Sequence, residues 1–202
     1  MAAFVGITGG IGTGKSTVSK FYEDKGFPVL YADNIAKNLL ANDDEIKSKI
    51  ISEFGEKAYI NSTPNKKFLA EQVFNSPEKL EKINAILHPA TIEIIKNEFE
   101  KLRKNGKVVF TEAALIYEAD FSDIFDFVIS VAAEKETRIG RLISSGKFTK
   151  EEVEMRMNSQ MPDEAKNKKA DFVIHNNGTV EELYEKCEFI LSLIFTLEKK
   201  AE

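Results

Sequence analysis

The chain has no tryptophan, only two histidines and a single cysteine among its 202 residues. One cysteine, Cys187, rules out a disulfide framework and a cysteine-built zinc site. Its expected state is a half-buried helical thiol in a reducing compartment. Two isolated histidines, His88 and His175, make a poor metal pair. There is no surplus of positive charge either: 28 Lys and Arg stand against 33 Asp and Glu, a net charge of −5. General nucleic-acid binding, which needs clustered cations, is therefore excluded, and any polyanionic ligand must be captured locally. Long apolar runs are missing as well. The most apolar late stretch, residues 189–195, is far too short to cross a bilayer, and Met1-Ala2-Ala3 carries no basic leader. A cytoplasmic protein without a membrane partner is expected. At 43% hydrophobic residues the chain can bury one compact domain, or a core with one or two small insertions.

What is present declares itself within the first 25 residues. The apolar run Ala3-Phe4-Val5-Gly6-Ile7 reads as a strand, and Thr8-Gly9-Gly10-Ile11-Gly12-Thr13-Gly14-Lys15-Ser16-Thr17 follows it. Gly9, four residues, then Gly14-Lys15-Ser16 satisfies the P-loop pattern, with strand before and helix after. Glycines at these positions let successive backbone N–H groups face phosphate oxygens, and the following helix points its positive end at the same anion. Lys15 would reach the β- and γ-phosphates, and the Ser16 hydroxyl would hold Mg²⁺. A Rossmann-type dinucleotide loop is the near alternative, but it has no need of the Lys-Ser pair.

Periodicity places a helix over residues 15–25, ended by Gly26, and a second strand at Phe27-Pro28-Val29-Leu30-Tyr31. From Asp33 to about Asn105 the pattern is helical, with no convincing strand, and Pro89 is expected to open a new helix after a break at His88. Strands resume at Lys107-Val108-Val109-Phe110-Thr111, at 125–131 and at 170–174, before a last helix from Val180. Apolar strands alternating with helices predict an α/β fold, a parallel sheet covered on both faces. The expected division is a core of residues 1–35, 106–133 and 170–202, a helical insertion at 36–105, and a charged helical lid at 134–169.

Several residues carry more than one reading. Asp33, just after the second strand, is either the general base for a hydroxyl attacking phosphate or the N-cap of a helix starting at Asn34 or Ile35, and the two roles are compatible. Arg138 and Arg141 share a helical face, where they either close over transferred phosphate or sit solvated. Glu112, at a strand end, is a Mg²⁺-directed carboxylate or a plain one. His88 is a structural histidine or a substrate contact. Asn167-Lys168-Lys169-Ala170-Asp171 nearly imitates a guanine-reading signature, but the aspartate falls one residue late, so Asp171 is read as strand-entry punctuation.

These motifs together resemble the dephospho-CoA kinase family. The resemblance rests on Gly6 through Ser16, on Ala32-Asp33-Asn34-Ile35-Ala36, on Leu87-His88-Pro89, on Leu115-Ile116-Tyr117-Glu118, on Arg156 with Gln160, and on Ala170-Asp171-Phe172-Val173-Ile174-His175-Asn176 before Gly178. It implies a P-loop NTPase-type sheet flanked by helices, a helical substrate-binding insertion for the coenzyme portion, and a helical lid. It implies that Gly10, Ile11, Gly12, Thr13, Gly14, Lys15, Ser16 and Thr17 bind ATP, with Asn176 and Gly178 near its adenine. It further implies Asp33 as base on the ribose 3′-hydroxyl, with Thr8, Lys66, His88 and Glu118 toward the acceptor, and Mg²⁺ as cofactor at Ser16 and Glu112. There are departures from the family's pattern. Ala114 stands where proline is common, Lys66 where arginine is common, and Ser145 where a second lid arginine is usual, which makes Arg141 a better phosphate partner than Arg138.

The resulting expectation is γ-phosphoryl transfer from ATP to the 3′-hydroxyl of dephospho-coenzyme A, by a monomer or weak homo-oligomer. A kinase of another small metabolite, such as a nucleoside monophosphate, and a nucleotide-driven switch are the rivals. The sequence leaves ATP against GTP open.

Overall fold

The computed structural model describes residues 2–74, 76–106, 108–146 and 148–199; Lys107, the first residue of the third expected strand, lies outside them. The chain forms two compact units, Met1–Leu30 with Glu98–Glu202, and Tyr31–Asn97.

The first unit is organised by a five-stranded sheet. Its strands are β1 (Phe4–Thr8), β2 (Val29–Tyr31), β5 (Val109–Glu112), β6 (Phe127–Ala132) and β7 (Phe172–His175), in the order β2-β5-β1-β6-β7. The pairs β5-β1, β1-β6 and β6-β7 are parallel. Alternation along β1 divides the two faces. Val5 and Ile7 join Phe110, Ile129, Val131 and Ile174 beneath α1 (Lys15–Asp24), through Val18, Phe21 and Tyr22, and α9 (Val180–Glu198), through Leu183, Cys187, Ile190, Leu191 and Ile194. On the other face Phe4 stacks on Phe99 with ring centroids 4.1 Å apart, and Gly6 leaves room for Ile116 and Phe125. Cys187 is fully rather than half buried, and burial pushes its thiol up to about 12. The expected half-burial is thus corrected to a place in the core.

Two strands begin with the same four residues, Asp126-Phe127-Val128-Ile129 and Asp171-Phe172-Val173-Ile174. Each aspartate closes the edge of the neighbouring ladder. Asp126 accepts from the Phe4 N–H at 2.7 Å, and Asp171 accepts from the Val128 N–H at 2.8 Å. Each also donates its own N–H back across the gap, to the carbonyls of Phe4 and Val128. Asp171 is thus strand-entry punctuation. The stretch after β6 folds as α6 (Lys135–Ser144), α7 (Lys150–Asn158) and α8 (Asp163–Lys169).

The second unit contains α2 (Ala32–Asn42), α3 (Asp44–Phe54), α4 (Lys66–Phe74) and most of α5 (Pro77–Leu102). Leu39, Ile46, Ile50, Ala58, Tyr59 and Leu69 form its core, with Ile83, Ile86, Leu87, Ala90 and Ile94 of α5 packed against them. Two expectations are corrected here. A short antiparallel hairpin, β3 (Tyr59–Ile60) with β4 (Thr63–Pro64), interrupts the helices, turned by Asn61 and Ser62 at φ 48 and 64. Two-residue strands are too short to give a period-2 signal. Nor does the chain break at His88, since Pro89 lies inside continuous α5. A helix-interior proline costs about 3 kcal/mol, but apolar residues on both sides of it fall on one face and pack into one cluster, which outweighs that cost.

Candidate active site

The glycine-rich turn between β1 and α1 has the backbone its sequence demands. Gly9 sits at φ 144, where a Cβ would strike the Val131 carbonyl oxygen. Gly14 is the N-cap of α1 at φ 100, and a Cβ there would strike the Asn176 amide. No side chain caps α1 and no carboxylate occupies its first turn, so its leading N–H groups and dipole are directed at whatever anion the loop receives. The loop is braced from within. The Gly10 carbonyl accepts from Lys15 Nζ at 3.1 Å and from the buried Thr13 hydroxyl at 3.0 Å. Ser16 is exposed in the first turn of α1, and the Thr17 N–H donates to the Gly14 carbonyl.

Three residues of the stretch 134–169 and one residue just after β7 reach this turn. Arg141 of α6 donates to the Asn176 carbonyl at 3.0 Å and to its side-chain oxygen at 3.4 Å, while Asn176 donates to the Thr13 carbonyl at 2.8 Å. Arg141 and the glycine-rich turn are therefore linked through one buried asparagine, directly after β7. Arg138 is buried rather than solvated. Its Nε donates to the Ile11 carbonyl at 2.7 Å, and it forms an ion pair with Asp163. Burial pulls its guanidinium below the usual value and Asp163 pushes back, although arginine stays charged throughout. Gln160 accepts from the Ile11 N–H at 2.9 Å. Arg156 lies over the Phe148 ring. Gly178 is exposed in the turn before α9, where a Cβ would strike the Glu182 carboxylate that completes the helix's capping box.

Glu112 ends β5 in register with Ile7, one residue before the sheet gives way to the loop. Thr8 is buried and donates to the Ala114 carbonyl at 3.3 Å. That same carbonyl accepts from Lys166 at 2.6 Å, a role that does not depend on the alanine side chain. Lys166 has no exposed side-chain surface and pairs with Glu118 at 2.8 Å, while Glu118 also accepts from the Met161 N–H. Asp163 and Lys166 escaped the sequence reading. The available signal was Pro162 at the N-cap of α8 with a carboxylate following it, a helix start from which i, i+3 neighbours face one way.

The second unit holds the other candidates. Asp33 is not the N-cap of α2. Tyr31 is, and Asp33 lies in the first turn, exposed, where the helix dipole favours a carboxylate. Lys66 is the exposed first residue of α4. His88 is half-buried in α5, and burial lowers its pKa below the ordinary histidine value. Between α2, α3 and α5 lies a groove of about 500 Å³, lined by Leu39, Ile46, Ile86, Pro89 and Ala90, with Asp43 and Glu93 among its polar members.

A five-stranded parallel sheet flanked by helices is the architecture that known proteins share with this one. A sequence model described as CoaE, dephospho-CoA kinase, matches residues 3–182. The chain belongs to the dephospho-CoA kinase family. A dephospho-CoA kinase of Fusobacterium nucleatum is 40% identical over 185 residues, covering 91% of this chain and 94% of that one. Among solved structures, TT1252 from Thermus thermophilus superposes with a TM-score of 0.80 at 32% identity, over 95% of this chain and 97% of that one. A dephospho-CoA kinase from Campylobacter jejuni does so at 0.73 and 29%, over 96% and 98%. The family consists of ATP-dependent kinases that complete coenzyme A. Among the described residues no trio of His, Cys, Asp or Glu could hold a metal, and no helix is long and apolar enough to cross a membrane.

Proposed function

We propose that the chain transfers the γ-phosphoryl group of ATP to the 3′-hydroxyl of dephospho-coenzyme A, with the following division of labour. The amides from Gly10 to Thr17 and the Lys15 ammonium hold the triphosphate, and Asn176 and Gly178 lie toward the adenine. Asp33 accepts the proton of the 3′-hydroxyl as that oxygen bonds to the γ-phosphorus and the bond to the β-phosphate oxygen breaks, releasing ADP. Arg141 neutralises charge on the phosphoryl group in flight. Lys66 and His88 serve the acceptor, which places the helical unit on the coenzyme side and residues 134–169 as the lid. Thr8 and Glu118 are assigned to the acceptor as well; Thr8 bonds the Ala114 carbonyl, which also accepts from Lys166, the partner of Glu118.

Mg²⁺ suits the donors present. The Ser16 hydroxyl and Glu112 carboxylate are hard oxygen ligands, few in number, as expected of an ion held mainly by phosphates and water. When bound it would spread the charge of the β- and γ-phosphates. The observation that carries the reading is the bonded chain from Arg141 through Asn176 to Thr13, which ties a lid cation to the phosphate cradle. The reading requires two small-molecule substrates in the cytoplasm, a chain acting as monomer or weak oligomer, and neither nucleic acid nor membrane. Incubation with Mg-ATP and dephospho-coenzyme A should add the mass of one phosphoryl group to the acceptor. A gain on nucleoside monophosphates instead would favour the rival kinase.

A further inference from the structure

Ile11 stands at the apex of the phosphate loop, and both of its backbone polar groups are held by the lid. Gln160, between α7 and α8, takes its N–H, and Arg138 of α6 takes its C=O. Arg138 is in turn fixed by Asp163, the first residue of α8. The fit beside this clamp is close. A Cβ on Gly10 would run into the Arg138 guanidinium and lie 2.5 Å from an Asp163 carboxylate oxygen, and one on Gly12 would lie 2.9 Å from Leu142. With both sides of one residue pinned, the adjoining peptide planes cannot rotate independently of the lid.

We propose that Arg138, Asp163 and Gln160 form a strap that holds the loop in the shape a nucleotide phosphate requires, and that Arg138 is a positioning residue acting through Ile11. Asp163 neutralises the Arg138 charge, and the guanidinium fork is already engaged at Nε and Nη1. Arg138 therefore adds shape to the cradle and little net field, whereas Arg141 donates to a neutral asparagine. A loop ordered in advance lowers the entropic cost of binding, so the strap acts on nucleotide affinity ahead of turnover.

The proposal rests on the loop binding nucleotide, and calorimetry of the wild type with Mg-ADP tests that point separately. Wild-type protein that fails to bind Mg-ADP takes down that reading and this one together. With wild-type binding established, Asp163→Asn, which keeps shape and loses charge, should raise the Kd for Mg-ADP and the KM for ATP roughly ten-fold, as expected for a lost charge-assisted hydrogen bond. Its kcat and its KM for the acceptor should stay near wild type. Arg138→Lys keeps the charge opposite Asp163 but cannot serve Ile11 as well, and should weaken nucleotide binding to a similar degree. If Arg138→Lys does not fold, Asp163→Asn decides alone. A lower melting temperature with unchanged nucleotide affinity reduces the strap to ordinary packing and overturns the proposal. Collapse of kcat at unchanged KM also overturns it, by making Arg138 a phosphate contact.

Discussion

The phosphate end of the first unit and the acceptor candidates of the second are built on opposite plans. Around Gly9–Thr17 the polar groups are engaged. Lys15, Thr13, Arg138, Arg141, Asn176 and Gln160 all hold or are held by backbone of the same small region. In the helical unit Asp33 and Lys66 are exposed on first turns, and the groove beside α5 mixes apolar walls such as Leu39, Ile46 and Ile86 with the charged Asp43, Glu45, Lys49 and Glu93. A triphosphate presents the same compact charge whenever it binds, so a cradle of fixed amides suits it. A long, flexible acceptor is better met by side chains that retain their freedom. The comparison teaches that affinity for nucleotide should be sensitive to structure, while acceptor chemistry should depend on single side chains.

The sharpest way to break that contrast is to substitute one proposed catalytic group in each unit. Asp33→Asn should lower kcat by about 10²–10⁴-fold, the usual worth of a general base, with ATP affinity nearly unchanged. Lys15→Ala should lower kcat by about 10²–10³-fold and weaken nucleotide binding as well. Steady-state kinetics with calorimetric titration of Mg-ADP separate the two patterns. Near-normal turnover in the Asp33 variant removes it from the role of base.

Next in size is the support behind the cradle. Lys166 has no exposed side-chain surface and bridges Glu118 to the Ala114 carbonyl. Lys166→Met leaves a carboxylate and a carbonyl without their cation, and should cost about 3 kcal/mol in urea unfolding, the lower end for a broken buried pair because Glu118 keeps some solvent. A cost below about 1 kcal/mol would mean that the pair behaves like a surface salt bridge.

What could be read in advance follows the same division. The turns at Gly9 and Gly14 were legible because a short motif fixes their backbone geometry, and β1, β5 and β6 because buried strands of a parallel sheet are mostly apolar. The strap was not legible, since Arg138 in α6 lies 22 residues before Gln160 and 25 before Asp163 and meets them only through tertiary packing. The hairpin at Tyr59–Pro64 left too short a pattern, and Pro89 was read as a boundary because local propensity cannot register the shared apolar face on either side of it. Asp33 was placed correctly next to β2 but given the wrong helical position, since Ala32 already belongs to α2. Pro89→Ala tests the proline directly. It restores a backbone donor at an exposed site and should raise stability by about 1–2 kcal/mol, less than the full helix penalty because the unfolded chain also gains freedom. A fall in the urea midpoint would show instead that the helical unit needs the proline where it is.

The smallest expected effect belongs to His88, the one half-buried titratable candidate of the helical unit with a lowered pKa. Burial disfavours its charged form, so its folded pKa lies below the value of about 6.5 that it takes in the unfolded chain. Between those two values the unfolded state binds more protons than the folded one, so stability increases with pH across that window. The His88 contribution is therefore complete above about pH 6.5 and is lost as pH falls through the lowered folded value. His88→Gln should flatten that part of the acid limb while leaving stability at pH 8 close to wild type. Urea midpoints of both proteins at pH 8, 6.5 and 5 measure it. Parallel curves for the two proteins would mean that His88 titrates alike folded and unfolded, and that the helical unit is as open to solvent there as at Asp33.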